Sequence, residues 1–299
     1  MPCESSMRLP ALSFEYFPPA DEPGLSKLWD CQADLGSFNP RFVSVTYGAG
    51  GTTQDRTLRV VSAFAEEFPT PIAAHITCVG VAREQVDRVL EHYIDSGVRR
   101  IVALRGDAAG GAGPFTPHPQ GYQGSVDLIG SIAGRGDFDI AVGCYPEVHP
   151  EAVSATSDVE HLKRKQDAGA TRAISQFFFD ADVFLDFVER ARAAGVTIPI
   201  TPGILPIRRL SSVERLAERC GTVIPSRVRE ILAPLDGDAP QRESAGVDLC
   251  HELCAKLLAN GVEDFHFYTL NRADLTRAVC ERFAIRDDVQ PTTTQAQLT

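Results

Sequence analysis

Eight short runs rich in β-branched and aromatic residues recur along the chain with helical patterns between them, and this strict alternation limits the possible folds more than any other feature. The runs are 12–17 LSFEYF, 41–48 RFVSVTYG, 72–79 IAAHITCV, 99–106 RRIVALRG, 139–146 DIAVGCYP, 170–179 ATRAISQFFF, 198–205 IPITPGIL and 263–270 EDFHFYTL. Between the third and fourth, Val86, Val89, Leu90, Tyr93 and Ile94 fall on one helical face. Gly97, Gly169, Gly195 and Gly261 each stand just past a helical pattern, where a left-handed residue ends a helix before the next strand. Ser157 with Glu160 is expected to form a capping box, and Asp180 to cap the helix that follows it.

Strand-then-helix repetition implies parallel strands joined by right-handed crossovers, in either an open doubly wound sheet or a closed barrel. GAGG at 48–51 and GGAG at 110–113 do not complete the dinucleotide fingerprint of the open sheet, and no phosphate-loop motif occurs. Eight units without that signature favour a single-domain (β/α)8 TIM barrel across all 299 residues. Residues 1–11 and 287–299 read as flexible ends, and 107–124 and 221–240 as loops longer than a barrel requires. The net charge of −11 argues against a nucleic-acid partner, because binding phosphates needs a basic footprint. No apolar run is long enough for a bilayer and the first residues do not form a secretory signal, so a cytoplasmic protein is expected. The eight cysteines lack C-x-x-C spacing and read as reduced, buried hydrophobes.

Chemistry in a barrel gathers at the C-terminal strand ends. Polar residues at those positions are Glu15, Thr46, His75 with Thr77, Arg105 with Asp107, Tyr145 with Glu147 and His149, Gln176, and Asn271 with Arg272. Glu15 stands between Phe14, Tyr16 and Phe17, where desolvation would favour the protonated carboxyl that a general acid needs; the alternative is a carboxylate paired to an arginine. Arg105 and Asp107 at a pocket floor suit a planar polar ligand, whereas adhesion through RGD would need an exposed extracellular loop. YPEVHPEA at 145–152 carries Glu147, His149 and Glu151, a set compatible with a metal, although no second ligand group of suitable spacing follows. Asp158, His161 and Lys165 form a stripe along the next helix that is either a solvated face or a ligand wall.

In order along nearly the whole chain, SFEYFPP, FVSVTYGAGG, AHITC, IVALRGD, YPEVHPEA, LKRKQDAGA, ISQFFFD, PGILP and DFHFYTLNR resemble the methylenetetrahydrofolate reductase family. The resemblance implies a barrel that binds FAD and reduces 5,10-methylenetetrahydrofolate to 5-methyltetrahydrofolate with NADH or NADPH, feeding methionine synthesis. It implies ping-pong alternation of the two substrates at the flavin. Glu15 matches the general acid that opens the methylene bridge, and Asp107 the carboxylate beside flavin and pterin. Gln176, Ser212 and Arg272 match substrate contacts. FAD contacts fall on Tyr47, Ala49, His75, Arg105, Gly106, Asp107, Tyr145, His149, Ala152, Asp158, His161 and Lys165, with Ser125 placed in GYQGSVDL as a further one. Thr46 and Gln176 match nicotinamide contacts, which makes YPEVHPEA part of a flavin cradle with no metal. Leu216 replaces an aromatic common in the family after PGILP. A homo-oligomer of bacterial type is implied, without the regulatory C-terminal domain of eukaryotic members. The rival readings are a cofactor-free barrel lyase or aldolase, which finds no strand lysine for a Schiff base, and a noncatalytic flavin or folate binder, which would not need Glu15 and Asp107 together.

Overall fold

The structure is a computed structural model, and it describes residues 10–48, 54–107 and 115–284. Eight parallel strands close on themselves in chain order: β1 (Ala11–Tyr16), β2 (Phe42–Val45), β3 (Ile72–Thr77), β4 (Arg100–Leu104), β5 (Asp139–Cys144), β6 (Arg172–Phe177), β7 (Ile200–Ile204) and β8 (Asp264–Tyr268). Between them run α1 (Glu22–Gly36), α2 (Gln54–Glu67), α3 (Arg83–Asp95), α4 (Ser125–Ala133), α5 (Ala155–Asp167) and α6 (Ala181–Ala193). The last strand interval holds α7 (Leu210–Cys220), α8 (Ser226–Leu232) and α9 (Ala239–Ala259), and α10 (Ala273–Ala284) follows β8. This is the single (β/α)8 barrel that the alternation predicts. None of the helices is long and apolar enough to cross a membrane among the described residues.

The period-2 alternation of the strands builds two packing zones. Phe14, Val43, Val45, Ile101, Val142, Phe265 and Phe267 face outward and are buried beneath the helices, against residues such as Phe64, Val89, Leu128 and Phe184. The opposite parity faces the barrel interior, where Phe42, Ala73, Val102, Ala141 and Ile174 form a separate apolar layer. Beneath that layer Asp139 accepts from Arg172 Nε at 3.0 Å and from the Thr171 hydroxyl at 2.7 Å. Burial opposes ionisation of Asp139, but those hydrogen bonds win and hold its carboxyl below the ordinary range. This end of the barrel serves stability.

Helix punctuation follows the expected rules with one shift. Gly97, Gly169, Gly195 and Gly261 adopt positive φ after α3, α5, α6 and α9, and Asp180 accepts from Asp182 N to cap α6. The capping box of α5 is formed by Ser154 and Ser157, not Ser157 and Glu160. A Ser157 hydroxyl reciprocates the N-cap as a Glu would, so the helix starts one turn earlier than expected. The stretch 221–240 is also no open loop, since α8 and a 3-10 turn at Ala233–Leu235 occupy it. Ala11, placed in the N-terminal tail by sequence, already belongs to β1; residues 287–299 and 108–114 lie outside the described residues. Among the described residues seven cysteines are free thiols, six of them buried.

Candidate active site

Glu15 is the inward residue two positions beyond Ser13 on β1, so the pleat carries its carboxylate to the mouth of the barrel. The aromatic residues beside it in sequence are not its surroundings: Tyr16 meets Phe64 of α2 at 6.0 Å and Phe14 meets Phe267 at 6.2 Å, on the far face of the sheet. The spatial neighbours of Glu15 are histidines. His75 Nε2 lies 3.5 Å and His266 Nε2 3.7 Å from Glu15 Oε2. Both rings are buried, and neither Nε2 forms a hydrogen bond among the described residues. Ser13 Oγ sits 2.8 Å from His266 Nδ1 and 3.3 Å from the Phe265 carbonyl.

His266 escapes reading from the sequence because a lone histidine in DFHFYTL looks like a core filler. Its parity is the usable signal: it alternates with Tyr268, and both face inward with Glu15. Tyr268 donates to the Ser175 carbonyl at 2.7 Å and lines the same cavity. Burial drives the His75 ring down to about 4, with Glu15 opposing that effect and His266 adding to it.

A cavity of about 690 Å³ opens above this layer, in the range that holds a whole cofactor or drug-sized ligand. It gathers Glu15, Thr46, Tyr47, His75, Thr77, Arg105, Gly106, Asp107, Ser125, Tyr145, His149, Ala152, Asp158, His161, Lys165 and Gln176. Ala49 lies outside the described residues. Ser212 and Arg272 line a second cavity of about 700 Å³, which shares Leu205, Leu216, Tyr268 and Leu270 with the first. The two form one continuous cleft. Asn271 does not point to a ligand: its side chain accepts from Phe17 N at 3.0 Å and donates to Phe17 O at 2.8 Å, tying β8 to β1.

One wall of the first cavity is cationic. Lys165 donates to the Gly143 carbonyl at 2.8 Å, and burial lowers its pKa. His161 Nε2 lies 3.3 Å from Ser125 Oγ; burial first, then Lys165 and Arg164, hold the ring down at about 4. Arg105 grips Glu151 through both carboxylate oxygens, one at 2.9 Å, and Asp158 accepts from His149 N at 2.9 Å. Glu147, His149 and Glu151 thus face three different partners, because Glu147 turns away to Val223 N. Gly106 has φ +84, and a Cβ there would lie 2.6 Å from Val79 Cγ1 and 2.9 Å from Thr77 Cβ. Only glycine lets the backbone turn this closely between Arg105 and Asp107.

The neutral histidines carry a pH consequence. Folded His75 and His161 stay unprotonated between the ordinary 6.5 and about 4, whereas the unfolded chain takes up protons there. Stability is therefore expected to fall as pH drops through that window, for buried His75 alone by on the order of 3 kcal/mol at 1.36 kcal/mol per pH unit. Asp139 and Glu151, held below ordinary carboxylate values, lose their contribution only at lower pH. Urea midpoints of the apoprotein at pH 7 and pH 5 check this; a flat profile, or one that His75→Gln does not flatten in part, contradicts it.

The profile of the methylenetetrahydrofolate reductase family matches residues 5–284. The 5,10-methylenetetrahydrofolate reductase of Salmonella typhimurium is 42% identical over 275 residues, covering 92% of this chain and 91% of that one. The Escherichia coli K12 reductase is 40% identical with the same coverage. Among solved structures, an uncharacterized Clostridium thermocellum protein that binds two copies of 5-methyl-5,6,7,8-tetrahydrofolic acid superposes with a TM-score of 0.64 over 93% of this chain and 95% of that one, at 15% identity, a likeness of fold. With its barrel closed, its polar residues converging on one cleft and these matches running nearly end to end, the chain belongs to the methylenetetrahydrofolate reductase family.

Proposed function

We propose that this cleft reduces 5,10-methylenetetrahydrofolate to 5-methyltetrahydrofolate, with FAD in the first cavity and NADH or NADPH as donor. The observation that carries the reading is the placement of Glu15 on a floor of buried histidines, in one cavity with Asp107 and a cationic wall.

The residues fit FAD on their own chemistry. Lys165 and Arg105 suit the phosphates, Asp158 can accept from a ribose hydroxyl, and the tight Gly106 turn lets backbone amides approach a planar ring. Tyr47, Ser125, Tyr145, His149, Ala152 and His161 complete the cradle. Bound there, FAD supplies a two-electron carrier between nicotinamide and folate. Thr46 and Gln176 orient the nicotinamide, while Gln176, Ser212 and Arg272 hold the folate, Arg272 through a tail carboxylate in the outer cavity.

Glu15 moves the proton. When Ser13 gives its hydroxyl hydrogen to the Phe265 carbonyl, its oxygen receives His266 Nδ1–H, which leaves the Nε2 lone pair facing Glu15 Oε2. That lone pair stands 3.7 Å from the carboxyl oxygen. Glu15 then delivers its proton to a bridge nitrogen of the folate, and the methylene bridge opens to an iminium. Asp107 places a fixed negative charge beside the cation that forms. Tyr268 and Leu205 line that side of the cleft. Both substrates use one cleft, so ping-pong kinetics follow, in a cytoplasmic homo-oligomer by analogy with the family.

Purified protein should be yellow, and anaerobic NADH or NADPH should bleach its flavin absorbance. Colourless protein that gains no activity on adding FAD would overturn the assignment. Steady-state rates with each dinucleotide establish the preferred donor.

A further inference from the structure

Within YPEVHPEA, Tyr145, His149 and Ala152 face the first cavity and Glu151 pairs with Arg105, but Glu147 has no part in that cradle. Its Oε1 accepts from the Val223 backbone N–H at 2.8 Å. Burial raises its carboxyl above the ordinary range, with the Val223 N–H pulling the other way. Val223 belongs to the turn that directly follows α7. That turn is sewn down at two more points: Thr222 donates to the Phe177 carbonyl at the end of β6 at 3.1 Å, and Gly221 packs against the Glu147 loop. Gly221 has φ +70, and a Cβ there would lie 3.2 Å from Pro150 Cγ and 3.4 Å from the Val148 carbonyl. The two loops touch at backbone distance.

What this seam holds in place is α7, whose Ser212 and Leu216 lie on the rim of the continuous cleft. The N-terminal end of α7 has no side-chain cap, and Val213 and Ala217 anchor its middle among Phe177, Leu205 and Val228. Its C-terminal end depends on the turn at 221–223. We infer that Glu147 is a positioning residue that fixes the height of α7 over the cleft, linking the loop that grips the cofactor to the helix that meets the substrates. This rests on the reading above that α7 faces folate.

Glu147→Ala should raise the KM for methylenetetrahydrofolate roughly tenfold, as expected for losing a hydrogen bond to a charged acceptor, with kcat within about threefold and FAD affinity within about twofold. Glu147→Gln should restore most of that loss, because its amide oxygen still accepts from Val223 N–H. An unchanged KM in Glu147→Ala overturns the inference, as does an FAD affinity that falls by the same factor, or a Gln variant no better than Ala. Ser212→Ala separates the two levels. If it leaves the folate KM unmoved, α7 does not meet folate and both readings fall; if it raises KM while Glu147→Ala is silent, the positioning role alone falls.

Discussion

Glu15→Gln is expected to lower folate reduction by roughly 10²–10⁴-fold, the usual worth of a positioned general acid, while flavin reduction by NADH or NADPH continues at near its normal rate. The amide keeps the shape of the carboxyl and can still face His75 and His266, so the variant should fold and hold its cofactor. It has no proton to give to the folate nitrogen. Reduction by the dinucleotide needs none at this position, which is why the two half-reactions should part. Anaerobic stopped-flow absorbance follows each separately: first bleaching by the dinucleotide, then reoxidation by methylenetetrahydrofolate. Equal slowing of both would sink the acid role and make Glu15 a general support of the site. Ser13→Ala refines the test, since it removes the partner of His266 Nδ1 and frees the ring to turn its other tautomer toward Glu15. A smaller loss, confined to the folate half, is the expected result.

The barrel was legible because two periodicities and one punctuation rule agree. Position at the C-terminal strand ends singled out Glu15, His75 and Gln176, and glycine placement marked where α3, α5, α6 and α9 end. Strand parity carried further information. Applied to β8 it places His266 beneath Glu15; applied to β1 it turns Phe14 and Tyr16 away, so the desolvated aromatic pocket expected around Glu15 is instead a pair of histidines. Sequence adjacency across a strand means opposite faces. Other errors have local causes. A serine can reciprocate a capping box, which moved the start of α5, and short helices such as α8 hide in polar stretches because seven residues span only about two helical turns. Asn271 illustrates a limit of residue type: a strand-end amide with φ +55 joins two strands as readily as it binds a ligand. The helix stripe Asp158, His161 and Lys165 was ambiguous by residue type alone; the family resemblance assigned it to FAD, and α5 turns this face into the first cavity.

Lys165→Met should raise the FAD dissociation constant about 100-fold without weakening the apoprotein. In the apoprotein the ammonium is desolvated and makes one bond, to the Gly143 carbonyl. Methionine removes the burial cost of that charge and leaves the carbonyl short of a donor, two effects of opposite sign that nearly offset one another. Against a bound diphosphate the balance changes, because the charge then meets its counter-charge out of water, and a charge-assisted bond of this kind contributes about 1.5–3 kcal/mol. At saturating FAD the wild-type thermal shift should therefore exceed the variant's, with similar melting temperatures in the absence of FAD. Lys163→Met is the matched control, since Lys163 lies two residues away on the same helix and pairs with Asp167 outside the cavity. Fluorescence quenching of free FAD measures the affinities directly. If the two lysine variants bind FAD alike, Lys165 does not meet the phosphates, and Arg105, which would have to release Glu151 to hold them alone, becomes the group to test.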